Sequence, residues 1–282
     1  MYFSVVVPFH NSEEYIEDCI GALLSQHYPQ ACYEIIMVDN NSTDRTAEII
    51  RRYPQIRLLS ESKVGAYAAR NRGVAESRGE IIAFTDSDCS PYPDWLQRIS
   101  EAMSCPGVCI VQGRQRFAFE SFGLSILSDY EAEKAAYTFS TGTKEVYYGY
   151  TNNMAVRRGI FDRVGPFMEL KRGADVLFMH RVIAGYSCDA VRYSPDIRAR
   201  HLEVTSVWKW FQKMQIYGRS FRGYSRLVLS RPLSGSERLR ILQATTRRGE
   251  YSAAKSLMAI LLLSVGMLYY ESGRWCPTKK VT

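Results

Sequence analysis

Two aspartates two positions apart, Asp86 and Asp88, have the residue type and spacing to bind a metal ion. They follow the apolar run at 81–84, and such a run is typical of a strand buried in a parallel sheet. α/β proteins bind ligands at the carboxyl edge of such a sheet, where oxygen ligands suit Mg²⁺ or Mn²⁺ carrying a diphosphate. The alternative is that both aspartates are turn and helix-capping residues. Pro91 and Pro93 follow closely and predict that no further strand forms here.

Two more polar clusters follow predicted buried strands, at residues 8–11 and 39–44. Because the exits of parallel strands share one edge of the sheet, three such clusters indicate the rim of a binding pocket. Asp39 could accept hydrogen bonds from a nucleobase or from ribose hydroxyls. A network of helix caps is the alternative explanation.

A third feature, made of Lys63, Gly65 and Arg70, favours phosphate binding. It combines two cations with a flexible backbone and a predicted helix N-terminus. The pattern is neither a P-loop nor a dinucleotide-binding glycine motif, and a solvated basic helix face would have the same composition.

Asp175 and His201, in the later part of the chain, are candidates for catalysis and metal binding. Asp175 opens a predicted helix, where a carboxylate could also serve only to balance the helix dipole. His201 stands alone after a run of arginines. A lone histidine is usually structural, but it could supply a third ligand to a metal held by Asp88.

The elements that must position these residues alternate between strand and helix. This alternation predicts βαβ units with a parallel sheet and right-handed crossovers. The predicted strands lie at 3–7, 33–38, 56–59, 81–84, 108–117, 147–156 and 186–193, with helices at 42–50, 66–75, 93–104, 121–137 and 158–164.

Charge is unevenly distributed along the 282 residues, whose net charge is +7. Residues 192–282 carry a net charge of +12, whereas residues 1–191 carry −5. A basic amphipathic helix is predicted from residue 207 to 228, and this tail is expected to face an anionic surface. Residues 256–270 are uncharged but shorter than the ~18–20 residues of a spanning helix. The aromatic residues beside this segment fit a membrane interface. The alternative, given equal weight, is a helix buried in the core.

Seven cysteines without a CxxC pair indicate reduced thiols in a cytosolic protein. The sequence begins directly with a predicted strand, without a basic n-region, so no secretory signal is expected. We therefore predict a cytoplasmic protein, peripheral at the cytoplasmic face of the membrane.

The ordered motifs of the chain resemble those of family 2 nucleotide-sugar glycosyltransferases, which have the GT-A fold. The donor-side motifs are VVPFHN at 6–11, VDNNSTD at 38–44, ARNRG at 69–73 and the D-x-D sequence at 86–88. NNMAVRR at 152–158, GPF at 165–167, GAD at 173–175 and His201 fit the later part of the family pattern. The resemblance covers residues 3–220, and several motifs in the right order are far more specific than any one of them.

The resemblance implies an α/β fold of GT-A type, a mostly parallel central sheet flanked by helices with a basic helical C-terminal extension. It implies a catalytic domain at 1–204, with a nucleotide-sugar half at about 1–107 and an acceptor half at about 108–204. Residues 205–282 would form the amphipathic extension. The substrates would be a nucleotide-diphospho-sugar and a glycan or lipid-linked acceptor, with Mg²⁺ or Mn²⁺ as cofactor.

Residue roles also follow from the resemblance. Asp175 would be the general base of an inverting transfer to an acceptor hydroxyl. The implied donor-binding residues are Pro8, His10, Asn11, Asp39, Lys63, Arg70, Asp86, Ser87 and Asp88; the implied metal ligands are Asp88, Asp86 and His201; the implied acceptor residues are Asn152 and Asn153. Ala174 replaces the usual acid before Asp175, and the Gln-x-x-Arg-Trp signature of polymerases is absent, which favours transfer of a single sugar.

Two other functions remain possible from the residues alone. A nucleotidyltransferase would need a glycine-rich loop after the first strand, and residues 8–11 contain no glycine. A non-catalytic, membrane-associated nucleotide-binding module would leave Asp175 as a simple helix-start residue. The basic tail has no recognised nucleic-acid-reading motif, so no nucleic-acid partner is expected.

Overall fold

The computed structural model describes residues 1–119 and 121–275, which form eight β-strands and ten α-helices. The strands are β1 (Phe3–Phe9), β2 (Tyr33–Asp39), β3 (Ile56–Ser60), β4 (Ile81–Thr85), β5 (Cys89–Pro91), β6 (Ile110–Phe117), β7 (Asn153–Arg157) and β8 (Val191–His201). The helices are α1 (Ile16–Leu24), α2 (Thr46–Ile50), α3 (Ala66–Glu76), α4 (Trp95–Met103), α5 (Phe122–Ser140), α6 (Arg158–Val164), α7 (Ala174–Gly185), α8 (Val207–Tyr224), α9 (Gly235–Arg248) and α10 (Ala253–Trp275).

All eight strands belong to one sheet, in the order β3-β2-β1-β4-β7-β6-β8-β5. The first four are parallel, whereas β7 pairs antiparallel with β4 and β6, and β5 pairs antiparallel with β8. The prediction of an α/β fold with a mostly parallel sheet and flanking helices is confirmed. The parallel part is the half of the sheet that carries the three predicted polar clusters.

Both faces of β1, β2 and β4 are buried, which explains their continuous apolar sequences. Val5 and Val7 of β1 belong to the main hydrophobic cluster, together with side chains of α1 and α4. On the opposite face, Val38 packs with Ala69 of α3. Helix α3 lies so close to the sheet that a Cβ at Gly73 would collide with the side chain of Val6. This close approach fixes the helix that carries Arg70.

The short strand β5 was not expected, and the prediction that Pro91 and Pro93 exclude it was wrong. Residues Cys89–Pro91 pair with β8 at the edge of the sheet, where a proline is tolerated because no further strand needs its missing N–H. The pairing aligns Cys89 with His201. The backbone N–H of Leu202 also donates to the carbonyl oxygen of Asp88, at 2.8 Å.

Other elements differ from the sequence predictions in extent. The strand predicted at 147–156 begins only at Asn153, and the strand predicted at 186–193 is replaced by a 3₁₀ turn at Cys188–Ala190 followed by the longer β8. Helix α9 was not predicted. Its start does carry a sequence signal, because Ser234 and Glu237 form a capping box.

The chain divides into two compact units. The first contains Met1–Arg116 and Tyr147–Leu202, and therefore the whole sheet apart from the last residue of β6. The second contains Phe117–Val146 together with the described residues from Glu203 to Trp275. Helix α5, which lies inside the predicted acceptor half, thus groups with the C-terminal helices, because its Leu124 and Leu127 share a hydrophobic cluster with Trp210 and Met214.

In the second unit, α10 packs tightly along α8. A Cβ at Gly218 of α8 would collide with the backbone of α10, and a Cβ at Gly273 of α10 would collide with the backbone of α8. Among the described residues, α10 is the single helix long and apolar enough to cross a membrane, judged by length and composition alone. Only 11% of its apolar window is buried, which argues against a helix enclosed in the core.

Within the described residues, six cysteines are present and none of them is in a disulfide; the seventh, Cys276, lies outside the described residues.

Candidate functional site

The acidic pair lies where β4 ends, at the carboxyl edge of the parallel strands. Asp86 accepts a short hydrogen bond from the Arg70 guanidinium, with 2.5 Å between Nη2 and Oδ1. The Arg70 side chain is only 6% exposed, whereas that of Asp86 is 32% exposed. A buried guanidinium is therefore neutralised by a carboxylate that still reaches the surface.

Asp88 lies beside His201. The His201 Nδ1 is 3.7 Å from the Asp88 Oδ2, and the ligand atoms of Asp88, Cys89 and His201 all lie within 4.8 Å of one another. His201 reaches this position because β8 pairs with β5 directly after the acidic pair.

The thiols near the acidic pair act as hydrogen-bond donors. Cys89 Sγ donates to Asp88 Oδ1, and Cys19 Sγ donates to the carbonyl oxygen of Asp86, both at 3.6 Å. Burial, followed by the charges of Asp88 and Asp86, raises the pKa of both thiols. Both cysteines therefore stay protonated and uncharged. The groups that could then bind a metal ion are a carboxylate oxygen and an imidazole nitrogen. This ligand set fits Mn²⁺ or Mg²⁺ better than a soft metal that prefers thiolate ligands.

Asp175 is connected to this site by two residues of α3. Its Oδ1 accepts a hydrogen bond from the backbone N–H of Val176 at 2.9 Å, and the Tyr67 hydroxyl interacts with the same carboxylate. The Arg70 guanidinium lies 5.2 Å from the Tyr67 ring and interacts electrostatically with Asp175. Burial raises the pKa of Asp175, although Tyr67 and Arg70 oppose the increase. Asp86 and Asp175 thus face one shared arginine.

Asp39 and its neighbours form a second rim of the same sheet edge. Asp39 is half-buried at the end of β2, and its Oδ1 accepts from the N–H of Ser42 at 2.9 Å. The His10 Nδ1 lies 2.8 Å from the carbonyl oxygen of Asn40. The exits of β1 and β2 are therefore joined by direct hydrogen bonds, as expected for neighbouring parallel strands.

Asn40 is a structural residue that the sequence analysis did not single out. Its buried amide donates to the carbonyl oxygens of Glu61 and Lys63 and accepts from the N–H of Gly65. Asn40 thereby fixes the loop that precedes α3. Its position next to Asp39 was the available signal, but the sequence alone does not show which of two adjacent asparagines turns inward.

Asn11 adopts a left-handed conformation with φ of 49°, which asparagine tolerates better than most residues. Its Oδ1 accepts from the N–H of Thr43, and its own N–H donates to Ser42 Oγ. Ser87 hydrogen-bonds through its hydroxyl with Ser12 at 2.8 Å, and Pro8 lies buried within β1. These residues, which were predicted to bind the nucleotide-sugar donor, therefore connect the ends of β1, β2 and β4.

Lys63 is exposed and forms an ion pair with Glu169. The segment that carries Glu169 is held by Asn71, whose amide donates to the carbonyl oxygen of Phe167 and accepts from its N–H. The ammonium group of Lys63 is therefore paired with a carboxylate of the same chain.

The two predicted acceptor residues differ sharply. Asn153 is fully buried; its amide donates to the carbonyl oxygens of Arg114 and Ile197, and its Oδ1 accepts from Trp95 Nε1. Its hydrogen-bonding capacity is spent inside the fold, so it cannot reach an acceptor, and we correct that assignment to a structural role. Asn152 is half-buried and accepts from Gln115, and it remains a candidate.

The fold and this arrangement define an α/β protein of GT-A type, with paired acids, a histidine and a separate carboxylate at one sheet edge. The chain belongs to glycosyl transferase family 2, whose model matches residues 4–178. It is 37% identical over 193 residues to the glycosyltransferase AglE of Haloferax volcanii, an alignment covering 66% of this chain and 63% of that protein. It is 36% identical over 93 residues to the Staphylococcus aureus poly(ribitol-phosphate) beta-N-acetylglucosaminyltransferase TarS, covering 31% of this chain and 16% of TarS. The chain thus spans less than two thirds of these relatives.

Two solved structures share the fold. The mannosyltransferase PcManGT from Pyrobaculum calidifontis, in complex with GDP-Man and Mn²⁺, matches with a TM-score of 0.62 at 18% identity, covering 97% of this chain and 87% of that one. TarS residues 1–349 of S. aureus, in complex with UDP-GlcNAc, match with a TM-score of 0.57 at 18% identity, covering 96% and 82%. At these identities the likeness shows the fold alone.

Proposed function

We propose that this chain is an inverting glycosyltransferase that moves one sugar from a nucleotide-diphospho-sugar to an acceptor hydroxyl. The observation that carries the proposal is the link from Asp86 through Arg70 and Tyr67 to Asp175. It brings a carboxylate suited to base catalysis close to the acids at the end of β4. Membership of family 2 supports the same reaction class.

The donor would bind along the strand exits. Asp39 would accept hydrogen bonds from the nucleoside, with His10 and Asn11 shaping the rim, and Arg70 would face the diphosphate. Asp88 and His201 would hold Mg²⁺ or Mn²⁺, with Asp86 beside them. When bound, the ion supplies positive charge that stabilises the departing diphosphate. The GDP-Man and UDP-GlcNAc present in the two structural neighbours support a nucleotide sugar of this kind.

In the transfer step, the acceptor oxygen attacks the anomeric carbon from the face opposite the diphosphate. Asp175 takes the proton of the attacking hydroxyl while the new carbon–oxygen bond forms. The bond from the anomeric carbon to the β-phosphate oxygen breaks, and the nucleoside diphosphate leaves. Attack from the opposite face inverts the configuration of the sugar.

We expect a nucleoside diphosphate together with Mn²⁺ to raise the melting temperature of the wild-type protein. A ligand at ~100 times its Kd adds ~2.7 kcal/mol to the free energy of unfolding. UDP and GDP, each with and without Mn²⁺, are the probes for a thermal-shift assay. The Asp88→Asn variant should lose the Mn²⁺-dependent part of the shift, because the carboxylate beside His201 is removed.

The matched control is Asp162→Asn, which removes an exposed carboxylate on α6. It should retain the full shift. A wild-type protein that shows no Mn²⁺-dependent shift with either nucleotide would contradict the proposed donor site.

We further propose that the acceptor is a glycan or lipid-linked sugar at the cytoplasmic membrane face, where the protein docks peripherally. Leu257, Leu261 and Leu268 of α10 lie on one helix face and are 68%, 56% and 70% exposed. The opposite face packs against α8, which carries Lys209, Lys213, Arg219 and Arg222. If α10 spanned the membrane, it would carry α8 into the hydrocarbon core, where each charged side chain costs ~3 kcal/mol of free energy. We therefore infer that α10 lies along the membrane surface.

Replacing Leu257, Leu261 and Leu268 together with serine is expected to weaken binding to phosphatidylglycerol vesicles about 100-fold, because each leucine loses ~1 kcal/mol of apolar burial. Vesicle co-sedimentation measures the effect, with phosphatidylcholine vesicles as the neutral control. Release of the wild-type protein by alkaline carbonate would support surface docking. Retention of the protein on the vesicles after that wash would indicate a spanning helix. If the wild-type protein were a dimer and the three substitutions dissociated it, the exposed leucines would instead contact a second copy of the chain.

A further inference from the structure

We propose that Tyr67 is a positioning residue for Asp175, holding the carboxylate in the orientation needed to accept the proton of the acceptor. This inference rests on the proposed function. The assignment comes from polar contacts between α3 and the start of α7 and from the packing that holds the Tyr67 ring.

The Tyr67 hydroxyl lies beside Asp175 and interacts with both its carboxylate and its backbone N–H. Burial and the nearby Asp175 charge raise the pKa of Tyr67 well above its usual value. The hydroxyl therefore stays protonated, which leaves its O–H to face the carboxylate as a donor. One side chain thus fixes both the backbone and the carboxyl group of Asp175.

The Tyr67 ring is itself held firmly. Tyr67 is only 6% exposed, and its ring centroid lies 5.8 Å from that of Phe167. The Arg70 guanidinium lies 5.2 Å from the same ring and is anchored by Asp86. A side chain fixed on two sides can orient a partner without losing much conformational entropy.

Helix α7 gives Asp175 little support of its own. The helix begins at Ala174, and its N-cap residue, Gly173, whose φ is 84°, has no side chain with which to cap the first turn. Within α7, the carboxylate accepts from the N–H of Val176. The charged and titratable groups that face Asp175 are Tyr67 and Arg70, both from α3. Orientation of the carboxylate therefore depends on α3.

The same contacts bear on proton transfer. A general base must be ionised before it can accept a proton, and burial opposes ionisation of Asp175. A hydrogen bond donated by Tyr67 favours the charged form. Loss of that bond should therefore raise the pKa of Asp175 and move the acid limb of the pH–rate profile to higher pH.

Tyr67→Phe is the discriminating variant, because it removes the hydroxyl and keeps the ring beside Arg70 and Phe167. We expect the Asp175 carboxyl to titrate about one pH unit higher than in the wild type. ¹³C NMR of carboxyl-labelled aspartate measures this without substrate, with the resonance assigned from Asp175→Asn. We also expect kcat to fall about tenfold, with little change in the donor KM, and the loss to be greatest at low pH.

Tyr33→Phe is the matched control, since Tyr33 is also buried and its hydroxyl donates to the carbonyl oxygen of Leu23, on the opposite face of the sheet from α3. It should leave the Asp175 titration unchanged. An Asp175 titration in Tyr67→Phe that matches the wild type would overturn this inference. Transfer activity that survives Asp175→Asn would instead overturn the proposed function, so the two failures are distinguishable.

Discussion

Asp175→Asn is expected to lower kcat about 10²- to 10⁴-fold while the protein remains folded and binds its donor. Asparagine keeps the shape of the side chain but cannot accept the proton of the attacking hydroxyl. Release of nucleoside diphosphate in the presence of acceptor measures the loss. The Mn²⁺-dependent thermal shift with the nucleotide should persist, because Asp88 and Asp39 are unchanged.

The stability of this variant should move in the opposite direction from its activity. The pKa of Asp175 is raised in the folded protein, so the folded state binds more protons than the unfolded state between the two pKa values. Stability therefore falls as pH rises through that window, and the ionised carboxylate is a cost at neutral pH. A neutral amide removes this cost, and we expect the melting temperature of Asp175→Asn to equal or exceed that of the wild type.

Asp162→Asn again serves as the control, and it should leave both kcat and the melting temperature unchanged. Full activity in Asp175→Asn would show that another group accepts the proton. That result would return Asp175 to the role of a helix-start residue, and it would favour a nucleotide-binding module or a different base.

Asn153→Ala is expected to have the largest effect on stability, lowering the free energy of unfolding by at least about 2 kcal/mol. The substitution removes the partner of two buried groups, the indole N–H of Trp95 and the carbonyl oxygen of Ile197, and of the half-buried carbonyl oxygen of Arg114. Each buried polar group left without its partner costs ~1–3 kcal/mol. Urea denaturation followed by circular dichroism measures the change.

Asn152→Ala supplies the contrast. Asn152 is half-buried, so its loss should change stability much less and should instead raise the KM for the acceptor. If Asn153→Ala were as stable as the wild type, the role of Asn153 in joining β6, β8 and α4 would be wrong.

Much of the nucleotide-sugar side of the fold can be predicted from local sequence patterns. Continuous apolar runs such as residues 81–84 predict buried parallel strands, because both faces of a parallel sheet are covered by helices. Polar residues directly after those runs must then lie at one edge, since parallel strands share a direction. Asp39, Asp86 and Asp88 could therefore be assigned to one edge without coordinates, and the order of the motifs indicated the family.

Which polar groups face inward, and which distant segments meet, depends on how the elements pack in three dimensions. Asn152 and Asn153 are adjacent and identical in type, yet Asn152 lies in the turn before β7 and Asn153 is the first residue of that strand, and only the point at which β7 begins shows which one is buried. His201 reaches Asp88 through the three-residue strand β5, which is too short and too rich in proline to be predicted from local pattern. The contact of Tyr67 with Asp175 joins segments more than 100 residues apart, and such a contact depends on how helices pack on the sheet, which local sequence does not encode.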